Sequence, residues 1–208
     1  MDERDYTITG ITQDNALTRI ERLEEAITVM RGLWGAGPFS HEGRFYSVSE
    51  IDAQPKPISN IPITVGGGGP KLLAMAARKA DVVGINPKIV GRSINPRSMA
   101  TAAADVVDEK IGYVKAAAGD RFDQLELQLQ VFATVVTDDP MAVAEKMAPM
   151  FGLPPEVVLQ APYFQIGSVQ QIIDNITMLR ERWGITYIAF QQDATAAMAP
   201  VVAALAGK

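Results

Sequence analysis

Short β-branched or apolar runs alternate along this chain with longer segments of helical periodicity, and this alternation constrains the fold most. Ile61 to Val65 is such a run, and it leads directly into Gly66, Gly67, Gly68, Gly69 and Pro70. Asp81 to Ile85 is a second, Leu125 to Val136 a third, and Ile185 to Phe190 a fourth. In the third run Leu125, Leu127, Leu129, Val131, Ala133 and Val135 fall on one face, and Glu126, Gln128 and Gln130 on the other. Each run precedes a helical segment. Pro70 suits the first turn of the first of these helices, because its missing N–H is no loss there. An alanine-rich helix with Val106, Ile111 and Val114 on its apolar side follows the second run and closes at Gly119 and Asp120. Asp138, Asp139 and Pro140 open the next helix. The helix Val169 to Trp183 is closed by Gly184, and a last one runs near Ala194 to Leu205.

Ahead of the first strand, Ile20, Leu23, Ile27, Met30 and Trp34 recur at spacings of three and four, which predicts an amphipathic helix. Asp14 or Asn15 supplies its cap and Gly35 its end. Residues 35–60 read as a long connection, with only Arg44 to Val48 able to extend. Residues 86–98, carrying Asn86, Pro87, Gly91, Asn95 and Pro96, read as a loop. The order is a helix, then strand and helix repeated, which gives a parallel sheet covered by helices. An open doubly wound sheet and part of a (β/α)8 barrel both satisfy it.

Composition narrows the function. At 208 residues the chain reads as a single domain, residues 1–208, with length enough for a core of its own. It has no cysteine, so a disulfide framework, a cysteine nucleophile and a thiolate metal site are excluded. Its single histidine, His41, excludes a multi-histidine metal centre, and no metal is expected. A net charge of −5 argues against a nucleic-acid or anionic-membrane surface. No apolar run reaches the ~20 residues of a membrane span, and the start lacks a signal pattern, so a cytoplasmic location is expected.

The glycine run is the one motif with chemistry in it. Between a strand and a helix N-terminus, glycines let backbone N–H groups approach a ligand and take positive φ, and the helix end adds partial positive charge. The run is neither a P-loop nor a dinucleotide fingerprint, since no Gly-Lys-Ser/Thr follows and Lys71 occupies the third glycine's place. A phosphate cradle and a bare strand-to-helix turn are both open readings. Asn86, Thr134 and Gln191 follow or end strands, where a barrel would place contacts, although each also reads as an ordinary strand-end polar residue. Glu126, Gln128 and Gln130 read as a polar inner layer, and His41 as a solvated loop side chain. Trp34, Tyr46, Trp183 and Tyr187 read as packing residues. The sequon at Asn175 falls within a helix and is disregarded.

Several segments come in the order and approximate spacing of a known family: Arg22-Leu23-Glu24-Glu25-Ala26 with Leu33-Trp34, Glu42-Gly43-Arg44-Phe45-Tyr46, Pro55-Lys56-Pro57, the glycine run, and Ala76-Ala77-Arg78-Lys79-Ala80-Asp81. On them the chain resembles the bacterial luciferase-like monooxygenases. Ala117-Ala118-Gly119-Asp120-Arg121-Phe122 and Arg180-Glu181-Arg182-Trp183-Gly184-Ile185 look most like the actinobacterial branch of probable F420-dependent oxidoreductases. The resemblance spans essentially the whole chain. It implies the C-terminal part of a TIM (β/α)8 barrel, with the four strands corresponding to the fifth to eighth and the first four absent.

It further implies coenzyme F420, or alternatively FMN, bound at the C-terminal ends of the strands, and a small-molecule substrate. Gly66, Gly67, Gly68 and Gly69 match the family's cofactor-phosphate loop, with Lys71 and Asn86 as neighbouring candidates. No residue takes a catalytic assignment, because much of that machinery comes from the early strands. Half a barrel leaves sheet edges unpaired, so association is expected, as a homodimer or with a separate N-terminal half.

Overall fold

The computed structural model describes residues 3–90 and 95–207. Two helices, α1 (Glu3–Thr9) and α2 (Ala16–Trp34), precede an antiparallel hairpin of β1 (Phe39–Glu42) and β2 (Ser47–Ile51). The core unit follows: β3 (Thr64–Gly67), α3 (Pro70–Lys79), β4 (Val82–Ile85), the one-turn α4 (Pro96–Met99) and α5 (Ala104–Ala118). Next come β5 (Glu126–Gln130), β6 (Ala133–Val136), α6 (Pro140–Phe151), α7 (Pro155–Gln160) and β7 (Phe164–Gly167). The described chain closes with α8 (Val169–Trp183), β8 (Ile185–Ala189) and α9 (Thr195–Leu205).

The main sheet has the order β3-β4-β5-β8 with every neighbour parallel. The expected alternation therefore gives the expected parallel sheet, but several details differ. Residues 125–136 do not form one strand. The chain changes partner at Val131 and Phe132: Val131 N–H bonds Ala189 O at 2.9 Å, and Phe132 N–H bonds Tyr163 O at 2.8 Å. β5 thus pairs with β8 and β6 with β7. β7 lies where glycines and prolines masked a strand. The piece expected to extend over 44–48 is half turn and half β2. In α5 the core residue is Val107 rather than Val106, and Asn15, not Asp14, caps α2 by accepting the Thr18 N–H at 3.0 Å. In the expected loop 86–98, Asn95 caps α4, and the loop's Gly91 lies outside the described residues.

The face of β5 that carries Leu127 and Leu129 is buried with Val65, Val83, Ile85 and Ile185 against Leu73, Met75, Val114, Leu179 and Trp183 of the helices. The opposite face carries the register row Gly66, Gly84, Gln128 and Tyr187. It is largely open, with Thr64, Glu126 and Gln130 exposed and Tyr187 45% exposed.

At the N-terminal end of the sheet Asp81 ties three elements together. It accepts the Ile63 N–H and the Arg31 guanidinium, both at 2.7 Å, while Arg121 donates to the carbonyls of Ala77 (2.6 Å) and Ala80. Partial burial raises the Asp81 pKa, but these donors outweigh it and hold the group below its ordinary 3.8. Asp81→Asn is expected to cost about 2 kcal/mol, the range for hydrogen bonds to a charged group, read by urea unfolding at pH 7. Because the folded pKa is depressed, this contribution is present above pH 3.8 and is lost as the pH falls through the folded value.

Candidate functional site

The C-terminal ends of β3 and β4 bring the predicted site residues together. Gly66 and Gly67 end β3, Gly68 makes the turn, and Gly69 is the N-cap of α3 with Pro70 in its first turn. Asn86 follows β4, donates its N–H to Gly67 O at 2.9 Å, and its side-chain amide takes the space that a Cβ on Gly66 would need. Lys71 is exposed in the first turn of α3.

The glycines serve purposes other than the expected positive φ. None of the four takes one; Gly69 itself has φ −99°. A Cβ on Gly68 would lie under 3.0 Å from the backbone of Pro87 and Lys88, and one on Gly67 would strike the Leu72 side chain. The loops after β3 and β4 interlock there. Gly69 is different: a Cβ would meet nothing within 4 Å. No side chain among the described residues caps α3, so the first-turn amides lack a side-chain acceptor.

Lys88 belongs to this cluster and was not singled out from the sequence. It is exposed, its backbone abuts Gly68, and its N–H is fixed by Thr101 Oγ1 at 2.7 Å. Its only sequence signal is its place two residues after Asn86. Neither Lys71 nor Lys88 forms an ion pair with a described residue. Two unpaired cations therefore flank an uncapped helix start, an arrangement suited to an anion such as phosphate.

Other candidates sit apart. Gln191 donates to Val131 O at 3.4 Å and braces the switch from β5 to β6. Thr134 lies opposite Gln165 in the β6–β7 register, and Thr134 Oγ1, Gln165 Oε1 and the Tyr163 hydroxyl are buried without a hydrogen-bond partner among the described residues. His41 is on the hairpin, 3.3 Å from Glu25. Burial raises the Glu25 pKa, but the N–H groups of Tyr46 and Phe45, with His41, outweigh it and hold it below the usual 4.5. That carboxylate fastens the hairpin turn to α2, so His41 has a structural partner rather than a solvated position. Among the described residues no cluster of acidic or histidine side chains could hold a metal, and no helix is long and apolar enough to cross a membrane.

A parallel sheet backed by helices, with an uncapped helix start after its first strand, defines an α/β protein. The profile of the luciferase-like monooxygenases matches residues 5–199, and the chain belongs to that family. It is 35% identical over 72 residues to the F420-dependent glucose-6-phosphate dehydrogenase of Microbacterium testaceum, covering 35% of this chain and 21% of the relative. It is 36% identical over 63 residues to the FMNH(2)-dependent dimethylsulfone monooxygenase of Pseudomonas fluorescens, covering 30% and 17%. Among solved structures, an F420-dependent secondary alcohol dehydrogenase in complex with an F420-acetone adduct matches with TM-score 0.64 at 17% identity, over 89% of this chain and 59% of that one. The matched regions span about a fifth of these curated relatives.

Proposed function

We propose that this chain forms the phosphate-binding side of an F420-dependent oxidoreductase that transfers a hydride between the reduced cofactor and a small organic substrate. The observation that carries the reading is the open, uncapped start of α3 at Gly69, flanked by Lys71 and Lys88. These residues fit a cofactor phosphate: the amides of the first turn would donate, the two ammonium groups would add charge, and no described side chain lies within 4 Å of the place a Gly69 Cβ would take. The deazaflavin, when bound, supplies the hydride chemistry. Gly66, Gly67, Gly68 and Asn86 hold the two loops in register, so that Gly69 and the helix end present a fixed surface.

The preference for F420 rests on the several relatives named as F420-dependent glucose-6-phosphate dehydrogenases. The Pseudomonas relative supports FMN-based oxygenation as the second reading. The cytoplasm is the proposed place of work.

Fluorescence titration of the purified chain with F420, and separately with FMN, tests the reading. Gly69→Val is the informative variant, because a Cβ there meets no atom of the described residues within 4 Å, while the side chain would enter the space proposed for the phosphate. Saturable binding is expected for the wild-type chain, weakened at least tenfold by Gly69→Val, about 1.4 kcal/mol. Equal affinity of the two proteins would overturn the cradle, and preference for FMN would select the second reading.

A further inference from the structure

A cleft between α5, α7, β7 and α8 shares no residue with the site at α3. It holds about 360 Å³, within the range of small-molecule sites, which begins at about 300 Å³. Leu159 of α7, Pro162 and Phe164 give it apolar walls. α8 supplies a further wall through Asn175, Met178, Leu179 and Arg182, which recur at i, i+3, i+4 and i+7 and so lie on one face of the helix. Every lining residue falls within positions 104–182.

Two polar groups of the cleft are held in place and incompletely used. Arg182 donates from Nε and Nη2 to Asp108, at 3.0 and 2.5 Å, and its guanidinium lies 4.9 Å from the centre of the Trp183 ring. Its Nη1 has no hydrogen-bond partner among the described residues. Gln165 of β7 is 1% exposed and donates from Nε2 to Pro162 O at 3.1 Å, while its Oε1 is buried without a partner among the described residues. A buried acceptor left unpaired is costly, so a donor is favoured there. The charge of Arg182 is already met, because Asp108 bonds it and Asp105, one turn earlier on α5, acts on it as well. An anion would bring a third negative group to one cation, and a cation would face the guanidinium. A neutral ligand satisfies both constraints.

We infer that this cleft binds a neutral amide that carries a short apolar chain. The carbonyl accepts from Arg182 Nη1, the amide N–H donates to Gln165 Oε1, and the chain lies along Leu159, Phe164 and Leu179. The donor distinguishes the amide from a ketone, and the lack of charge distinguishes it from a carboxylate. The inference is independent of the cofactor reading, since the two sites share no residue.

The test titrates the full chain with three compounds of one shape: hexanamide, heptan-2-one, in which a methyl replaces the amide nitrogen, and hexanoate, in which an anionic oxygen does. Methyl NMR reads occupancy at Met178 and Leu179. Hexanamide is expected to shift these signals saturably with a Kd on the order of 1 mM, as a ligand this small allows. Heptan-2-one and hexanoate are each expected to bind about tenfold more weakly, the first leaving Gln165 Oε1 unpaired and the second adding charge. Gln165→Met, of similar length, is expected to bring hexanamide down to the affinity of heptan-2-one. Arg182→Lys keeps a charge beside Asp108 but lacks the second edge, and is expected to weaken both neutral compounds about tenfold. The midpoint of urea unfolding reports whether each variant is folded; if one is not, the wild-type series and the other variant decide. Equal affinity of hexanamide and heptan-2-one for the wild-type chain overturns the inference. So does a preference for hexanoate, the absence of a saturable shift at Met178 and Leu179, or an advantage of hexanamide that survives Gln165→Met.

Discussion

Gly68→Val is expected to destabilise the chain by about 3 kcal/mol, the upper range for overpacking a well-packed site, and to lower the midpoint of urea unfolding accordingly. The Cβ alone would lie under 3.0 Å from the backbone of Pro87 and Lys88. Backbone cannot rotate aside as a side chain can, so the loop after β4 must move. Its displacement would break the bond from Asn86 N–H to Gly67 O and pull Lys88 from its place beside the α3 start. Loss of anion binding is therefore expected together with loss of stability. Gly69→Val, one residue on at the N-cap of α3, should cost about 1 kcal/mol, the usual loss at a helix cap. Equal midpoints for the two variants would show that the loops do not interlock.

Lys110→Met is expected to stabilise the protein at pH 7, by about 2 kcal/mol in urea unfolding. Lys110 lies on α5 with 2% of its surface exposed. Its Nζ donates to Thr101 O at 2.6 Å and sits 5.9 Å from the centre of the Tyr163 ring. Burial drives its pKa from 10.5 down to about 8, against a small upward pull from Glu109. At pH 7 the folded chain must hold a charged amine in an apolar layer. Methionine of similar length removes that cost, at the expense of one bond to the Thr101 carbonyl.

The sign in the pH dependence follows from the same shift. Between pH 8 and 10.5 the unfolded chain keeps the Lys110 proton and the folded chain has lost it, so wild-type stability gains from this group as pH rises. Lys110→Met should lack that gain, and the two unfolding curves should converge between pH 8 and 10. Above pH 10 burial pushes the Tyr163 hydroxyl upward and acts oppositely in both proteins, since the unfolded chain then releases a proton the folded one retains. A stability gap that stays constant from pH 7 to 10 would show that Lys110 is not a titrating group of this kind.

The elements with local signals were legible in the sequence. Pro70 after the glycine run, Gly184 after Trp183, and the alternation from Leu125 to Gln130 are settled by steric and hydrogen-bonding demands within a few residues, and α3, the end of α8 and β5 follow them. The candidate site was legible as a cluster because strand order alone brings the ends of β3 and β4 together.

What tertiary structure decided depends on partners distant in the chain. Residues 125–136 carry one uninterrupted pattern, yet β8 claims the first half and β7 the second, a competition that no local periodicity encodes. β7 itself is a four-residue strand between proline and glycine, and it is stabilised by its pairing with β6 and by burial of Phe164 and Ile166. The role of each glycine also changed. Gly67 and Gly68 are required by Leu72 and by the loop after β4, whereas Gly69 alone faces open space. A run of identical residues presents the same local chemistry at each position, and only the fold gives each a different neighbour.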